Sequence, residues 1–304
     1  MAEAKLASTS VAPPRAGRKG AKGLPASVRA LADFKLLIGG GYLLALVLVA
    51  LAAPWISPHD PLEQDLSAAL LPPFGFQEAD SAHLLGTDDL GRDVLARLIY
   101  GSRVALVVAF AAGMAAAVVG SLLGFLAGFF GGWTDIVVSR LVEIWMAFPA
   151  VLLAILIVAI LGPGIGSVVV AIAVVDWTRF ARTVRADAMA QARSDYVTAA
   201  RTLGFGRWTI LFREILPNVM PGLIVLLALE MGIAVVVEAV LSFVGLSVSS
   251  DLPTWGGLIA SGRQIIYQAW WVFAAPLAAV FATVLAFNQF GDGLRRALDP
   301  VMRR

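Results

Sequence analysis

The sequence predicts an all-α, polytopic membrane protein with six transmembrane helices, and three observations carry this prediction. The 304 residues are 59% hydrophobic and 14% charged, whereas soluble domains average about 45–50% apolar and about 25% charged residues. The mean hydropathy of the chain is +0.84. Several stretches of more than twenty residues carry no charged side chain, and about 20 apolar residues are enough for a helix to cross a bilayer.

The N-terminal tail differs in composition from the first span. Residues 1–35 hold seven Lys or Arg against two acids and are rich in Ala, Pro, Gly and Ser, which predicts a disordered cytosolic tail. Residues 36–58 carry no charge, and they are longer than the roughly 7–15-residue apolar core of a secretory signal. We therefore expect a retained first helix, at the start of a membrane domain that covers 36–300.

The segment after this helix is too polar to enter the membrane. Residues 59–103 hold eight acids, both histidines and several prolines, and we predict an outer loop there. Residues 104–130 carry no charge and predict the second span. Glycines that recur every four residues in this region favour close packing against another helix of the bundle, with a subunit interface as the alternative. They are Gly120, Gly124, Gly128 and Gly132, preceded by Gly113.

The longest charge-free stretch is too long for one span. Its 32 residues, 144–175, would make a helix about 48 Å long, against a hydrocarbon core of roughly 30 Å. Gly162, Pro163 and Gly164 predict a break, because proline cannot continue the helical hydrogen bonds. The remaining elements are then a third helix over 141–161, a fourth over 165–180, an inner polar loop over 181–218, and spans over 219–246 and 270–290.

The distribution of Lys and Arg predicts the orientation, because cytosolic loops hold the excess of positive charge. Nineteen of the 23 basic residues lie in the N-terminal tail, at Arg140, in the region 179–213 and at the C-terminus. Six spans place the two termini on the same side of the membrane, and this distribution places that side in the cytosol. We therefore expect a multi-pass membrane protein whose loop 59–103 faces outward.

The inner loop contains a hairpin, residues 195–217, that the spacing of apolar residues predicts as two short amphipathic helices around Gly204. Such faces are buried either at the lipid interface or in a protein socket. Small residues favour the socket, because they allow close approach of another backbone. The two apolar faces comprise Tyr196, Ala199, Ala200 and Leu203, and then Trp208, Leu211, Phe212 and Ile215.

The hairpin resembles the "EAA" loop of ATP-binding-cassette (ABC) importer permeases. The matching residues are Ala199, Ala200, Gly204, Leu216 and Pro217. Thr198 stands where the family usually has an acid, and Glu214 where it usually has isoleucine. These departures resemble the dipeptide, oligopeptide and nickel branch of the family.

Two further motifs resemble the same branch: HLLGTDDLGRDV at 83–94, continuing to YGSR at 100–103, and EAVLSFVGL at 238–246. The likeness covers residues 36–300 and is strongest to the second, or C-type, membrane subunit. It implies a type I importer permease of the bacterial inner membrane that forms half of the path for di- or oligopeptides. Its partners would be a second homologous permease subunit, two ABC ATPase subunits and an extracytoplasmic solute-binding protein. Nickel, glutathione or another small solute is the alternative cargo.

The resemblance also implies that the hairpin is the coupling helix that sits in a cleft of the ATPase subunit. The residues given this role are Thr198, Ala199, Ala200, Gly204, Arg207, Leu216 and Pro217. ATP hydrolysis is expected in the partner chains, because all four lysines lie at or before Lys35 and none downstream can serve a Gly-rich phosphate loop. We predict no catalytic residues and no cofactor for this chain.

Two acids lie within the span over 219–246. A carboxylate near a helix centre costs about 2.5–3.5 kcal/mol on insertion scales, so such groups face protein or water. Glu230 and Glu238 are eight residues apart and share one helical face. Either they line the translocation path for a charged peptide, or they hydrogen-bond to neighbouring helices.

Both histidines, His59 and His83, lie in the acidic outer loop. A metal site there would need a carboxylate of the same loop, such as Asp60, Asp88 or Asp89. Because the spacing matches no known ligand pattern, we predict no metal site. The Gly-Thr-Asp-Asp segment instead predicts a helix start capped by Thr87 or Asp88.

Other classes of protein fit the sequence less well. Nucleic-acid binding needs a basic face on a folded domain, whereas the basic residues here lie in separate loops. An ion-coupled secondary transporter is the main rival, but inverted repeats are not visible in the sequence. A membrane-embedded enzyme needs converging reactive side chains, and this chain has no cysteine and two histidines.

Overall fold

The computed structural model describes residues 34–246 and 252–298. This part of the chain is helical and contains no strand, which confirms the all-α prediction. The predicted disordered tail over 1–35 lies outside the described residues, except for its last two. The helices are α1 (Phe34–Ile56), α2 (Val94–Phe130), α3 (Gly132–Met146), α4 (Ala150–Leu161), α5 (Ile165–Ala192), α6 (Asp195–Thr202), α7 (Arg207–Phe243), α8 (Trp255–Gln264) and α9 (Trp270–Leu298).

The long helices agree with the predicted spans. Among the described residues, α1, α2, α7 and α9 are long and apolar enough to cross a membrane, and the bent pair of α3 and α4 is a fifth candidate. Helix α5 corresponds to the remaining predicted span. Its second half carries several charged side chains, since it continues to Ala192 rather than ending near 180. Helix α8 was not predicted.

The third predicted helix is broken. Residues 141–161 were expected as one helix, but α3 ends at Met146 and α4 begins at Ala150, with an angle of 88° between them. Pro149 stands immediately before α4 in an extended conformation. Proline removes a backbone donor and disfavours helical geometry in the preceding residue, here Phe148, so the bend follows from the sequence.

The glycine repeat packs α2 against α5, the most extensive helix contact in the described chain. A Cβ atom on Gly120, Gly124 or Gly128 would lie 2.2–2.7 Å from backbone carbonyl oxygens of Trp177, Ala181 and Arg185, respectively. The repeat therefore serves packing within the chain, as expected for small residues in membrane bundles. The pattern ends at Gly132, which has a positive φ of 58° and where an added Cβ would meet no atom of the described residues within 4 Å.

Helix α2 begins ten residues before the predicted span, so the loop between α1 and α2 ends at Asp93 rather than at residue 103. Two tryptophans attach this end of the molecule to the last helices. The Trp271 indole N–H donates to the Thr87 carbonyl oxygen at 3.1 Å, and the Trp255 indole N–H donates to the Leu98 carbonyl oxygen at 3.0 Å.

Candidate functional site

The hairpin between α5 and the apolar part of α7 is the first candidate site. Its turn follows a recognised helix-ending geometry. Gly204 has a positive φ of 83°, the Phe205 N–H donates to the Ala200 carbonyl oxygen at 3.1 Å, and the Gly204 N–H donates to the Arg201 carbonyl oxygen at 3.0 Å. This is a Schellman motif, in which glycine is the usual residue because its φ is positive.

The inner side of the hairpin is a small apolar core. Val197, Ala200, Ile210, Leu211 and Ile215 are buried and pack with side chains of α2, α5 and α7. This core fixes the hairpin to the ends of the long helices. The hairpin is therefore a rigid extension of the bundle in this structure and not a detached loop.

The outer side of the hairpin is a continuous exposed tip. All nine residues from Arg201 to Thr209 are exposed, and they include large apolar side chains: Leu203 is 75% exposed, Trp208 57% and Phe205 47%. A cluster of exposed apolar residues is typical of an interaction surface. We call residues 201–209 the hairpin tip.

A polar cleft lies beside the tip. Its volume is about 520 Å³, and its walls comprise Phe129, Phe130, Arg201, Phe205, Arg207 and Ile210. The Phe130 ring meets Trp208 edge to face, with centroids 5.1 Å apart. Because Phe130 ends α2, the hairpin lies at the opposite end of this 37-residue helix from Asp93, about 55 Å away along its axis.

The predicted apolar faces of the hairpin are split by the structure. Ala200, Leu211 and Ile215 point inward, whereas Leu203, Trp208, Phe212, Tyr196 and Ala199 are exposed. The two halves of the expected Ala-Ala pair therefore have different environments. Of the other residues given a coupling role, Thr198, Gly204 and Arg207 are exposed.

Leu216 and Pro217 lie where the tip joins the long part of α7. Residues Ile210–Ile215 form a π-helical turn just before them. Pro217 has no N–H to donate to the carbonyl of the preceding turn. The neighbouring Glu214 carbonyl oxygen accepts a hydrogen bond from the Asn218 side-chain amide at 2.6 Å. These two residues thus shape the base of the hairpin and are not part of its exposed tip.

At the other end of α2, the acidic motif forms a buried clamp. Asp88 is fully buried; its Oδ1 accepts from the Leu90 and Arg92 amides at 2.9 and 3.0 Å. Its Oδ2 accepts from Arg92 Nε at 2.7 Å and from Arg97. The cap of α2 is Asp93, not Thr87 or Asp88 as the sequence suggested, because Asp88 is occupied by the two arginines.

Asp93 contacts both histidines of the chain. His83 Nδ1 lies 2.8 Å from Asp93 Oδ2, and His59 Nδ1 lies 3.3 Å from the same oxygen. The two imidazole rings stack with centroids 4.5 Å apart. The sequence considered Asp60, Asp88 and Asp89 as partners of the histidines; none of these is the carboxylate that the fold brings to them.

The two acids of α7 have different surroundings. Glu230 is 5% exposed, and Arg179 Nη1 of α5 donates to both of its carboxylate oxygens, at 3.1 and 3.3 Å. Arg179 also lies 3.8 Å from Asp176. Glu238 is 1% exposed and accepts from the Ser242 hydroxyl at 2.6 Å. Both carboxylates are therefore buried within the described chain.

The fold is that of a helical membrane protein with an exposed hairpin, and comparison with known proteins specifies its family. Residues 120–304 match the family described as "Binding-protein-dependent transport system inner membrane component", and residues 36–73 match the "N-terminal TM domain of oligopeptide transport permease C". The chain belongs to this family of inner membrane components. It is a permease subunit of an ABC importer and not an enzyme.

Several named relatives cover most of the chain. It is 43% identical to the di/tripeptide transport system permease protein DppC of Pseudomonas aeruginosa strain UCBPP-PA14, over 86% of each chain. It is 44% identical to the dipeptide transport system permease protein DppC of Escherichia coli K12, over 88% of this chain and 89% of that one. It is 37% identical to the glutathione transport system permease protein GsiD of Pectobacterium atrosepticum, over 90% of each.

A solved structure shares the fold. The inward-facing MetNI methionine ABC transporter matches with a TM-score of 0.57 and 22% identity, over 67% of this chain and 96% of that chain. Together with family membership, this agreement confirms the expected architecture. The ion-coupled transporter and the membrane-embedded enzyme, which were the rival classes, are wrong for this chain.

Proposed function

We propose that this chain is one of two homologous membrane subunits of a dipeptide importer and forms half of the translocation path. The observation that carries the mechanism is the hairpin tip, because nine consecutive exposed residues stand on a rigid apolar base. When a partner protein that is bound to this tip moves, α5 and α7 move with the tip. Closure of the ATPase subunits would therefore be transmitted directly to the helices of the path.

The chemistry of the tip favours a protein partner over the lipid interface. Leu203, Phe205 and Trp208 supply an apolar patch, while Arg201 and Arg207 line the adjoining cleft. Apolar side chains with arginine beside them are typical of interface centres between proteins. The remaining partners in this proposal are the second permease subunit, a second ATPase subunit and an extracytoplasmic solute-binding protein.

The proposed orientation places both termini and the hairpin in the cytosol. The distribution of Lys and Arg supports it, as does the length of α2, which separates the hairpin from the acidic loop. Two single-cysteine variants test it, because the chain has no native cysteine. Cysteine at Tyr267, which is fully exposed, should react with an impermeant maleimide on intact cells, and cysteine at Leu203 should react only after permeabilisation. The reverse labelling pattern would overturn the orientation.

Dipeptides are the proposed cargo because two of the relatives above, at 43–44% identity, carry dipeptide or di/tripeptide transport in their names. Growth tests this directly. Deleting the gene from an amino-acid auxotroph of its host should abolish growth on a dipeptide that contains the required amino acid, and restoring the chain should recover it. If the deletion strain instead lost growth on glutathione as sulfur source and kept growth on dipeptides, the proposed cargo would be wrong, and the proposed mechanism would still hold.

A charged path is a second part of the proposal. The candidate path residues are Glu230, with its partner Arg179, and Glu238, which lies eight residues further along α7. Buried charge in a membrane bundle is typical of a route for polar cargo. Under this proposal, Glu230→Gln changes uptake of cationic dipeptides more than uptake of neutral ones. Equal uptake of both classes in Glu230→Gln and Glu238→Gln would leave these acids with a structural role only.

A further inference from the structure

Three ligand-type atoms converge where α2 begins, far from the hairpin. His59 Nδ1, His83 Nδ1 and a carboxylate oxygen of Asp93 all lie within 4.8 Å of one another. The three residues come from separate segments: the stretch just after α1, a turn in the loop, and the cap of α2. Such convergence of two imidazoles and one carboxylate from distant positions is not produced by local chain geometry.

Each of the three residues is held in place by other contacts. Asp93 uses Oδ1 to cap α2, accepting from the Ala96 N–H at 2.7 Å, so Oδ2 is left to face the histidines. The Ser57 hydroxyl donates to the His59 carbonyl oxygen at 2.7 Å. The Gly86 N–H donates to the His83 carbonyl oxygen at 2.9 Å. The cluster is therefore preorganised by its own backbone.

One atom of the cluster lacks a hydrogen bond. His59 Nδ1 is buried and has no hydrogen-bond partner, although it lies 3.3 Å from Asp93 Oδ2. An unsatisfied buried polar atom destabilises the folded state, because it has lost its hydrogen bonds to water. A cation placed among the three atoms would coordinate this nitrogen and would remove that cost.

We propose that His59, His83 and Asp93 form a binding site for a divalent transition-metal ion, with water completing the coordination. Imidazole nitrogen suits Zn²⁺, Ni²⁺ and Cu²⁺. Bond lengths of about 2.0–2.1 Å in a tetrahedral site put ligand atoms about 3.3 Å apart. The observed separations from Asp93 Oδ2, 2.8 and 3.3 Å, need only a small expansion. This proposal replaces the expectation from the sequence that the chain has no metal site.

The bound ion would fasten the loop between α1 and α2. His59 lies three residues beyond Ile56, the last residue of α1, and Asp93 stands directly before Val94, the first residue of α2. The metal would therefore join the ends of these two helices and the turn at His83. Its effect is on the stability and geometry of this loop, and it is independent of the hairpin and of the cargo.

Metal titration of the full-length chain tests the site. The chain is purified in detergent with an affinity tag that contains no histidine, stripped with a chelator, and titrated with Zn²⁺ by calorimetry, with metal content measured by mass spectrometry. We expect one Zn²⁺ per chain and a rise in the thermal midpoint on binding. Because the chain has two histidines and no cysteine, little competing binding is expected.

Substitutions assign the ligands. His59→Gln, His83→Gln and Asp93→Asn should each weaken Zn²⁺ binding at least about 100-fold, since even partners of metal ligands contribute about 10- to 100-fold. Asparagine still caps a helix, so Asp93→Asn should retain the fold, with circular dichroism as the check. Glu63→Gln, an exposed acid of the same loop, should bind as the wild type does. Absence of stoichiometric binding by the wild type, or wild-type affinity in the double variant His59→Gln/His83→Gln, would overturn the proposal.

Discussion

Ala199 and Ala200 are adjacent in the sequence, but only Ala200 is part of the hairpin core. Ala200 is 6% exposed and packs with Val197, Ile210 and Leu211, whereas Ala199, about 100° away around α6, is exposed. The first residue of the pair is thus available to a partner, and the second holds the hairpin together. This difference separates binding from folding in experiments on the hairpin.

Arginine at the two positions should have different consequences. Ala199→Arg should abolish dipeptide uptake while the amount of protein in the membrane stays normal, because the added side chain obstructs docking beside the hairpin tip and leaves the buried core of the hairpin unchanged. Ala200→Arg should reduce the amount of folded protein, because overpacking and a buried unpaired charge both destabilise. Uptake and membrane abundance are measured together. Arg193→Ala, at an exposed arginine before the hairpin, is the control and should behave as the wild type.

Substitution of Gly204 should impair the turn of the hairpin, because the backbone of this residue is left-handed. Gly204 has a φ of 83°, and no atom of the described residues lies within 4 Å of an added Cβ, so alanine there meets no clash among them but costs about 1–2 kcal/mol for the left-handed conformation. We expect Gly204→Ala to reduce uptake in part and Gly204→Trp to abolish it, with membrane insertion retained in both. Equal, wild-type uptake in both variants would mean that this turn is not close to a partner.

Arg179 and Glu230 should be energetically coupled. Glu230→Gln leaves Asp176, at 3.8 Å, as the one carboxylate paired with Arg179 among the described residues, and should lower the thermal midpoint of the purified importer. Adding Arg179→Gln should restore part of the loss, since contacting residues in such networks show interaction energies of about 0.5–3 kcal/mol. A double-mutant cycle of thermal midpoints measures this. Strict additivity of the two single effects would show that the pair contributes nothing to stability.

Packing of α2 on α5 should be sensitive at the glycine repeat. A Cβ at Gly124 would lie 2.7 Å from the Ala181 carbonyl oxygen, so Gly124→Ala should destabilise the importer by about 1–3 kcal/mol through overpacking. The matched control is Gly41→Ala in α1, where nothing lies within 4 Å and helix propensity favours alanine. Thermal unfolding should place the control at or slightly above the wild type. The same midpoint for both variants would contradict the packing role.

The sequence predicted those features that depend on local composition. Charge-free stretches located the long helices, and the spacing around Gly204 predicted a hairpin whose turn proves to be a Schellman motif. Gly120, Gly124 and Gly128 were expected to pack in the bundle, and they do so against α5. In each case the signal lies within one segment of the chain.

Features that depend on contacts between distant residues were not predictable in this way. Helix α2 can start at Val94 because the buried Arg97 pairs with Asp88. In the sequence, Arg97 is visible only as a charged residue that argues against a membrane span. Which residues of the hairpin are buried depends on where α2 and α5 end, because the hairpin packs against those ends. The carboxylate shared by His59 and His83 is Asp93, and only the folded loop brings these three positions together.

The most direct test of the account is thiol crosslinking at the hairpin tip. Leu203 and Leu66 are similarly exposed, at 75% and 72%, but Leu203 is in the tip and Leu66 is in the loop between α1 and α2. In the assembled importer, Leu203→Cys should form a covalent adduct with a cysteine-bearing ATPase subunit, and Leu66→Cys should not. Labelling of Leu203→Cys by a lipid-phase reagent, with no adduct to the ATPase, would contradict the assignment of the hairpin as the coupling element.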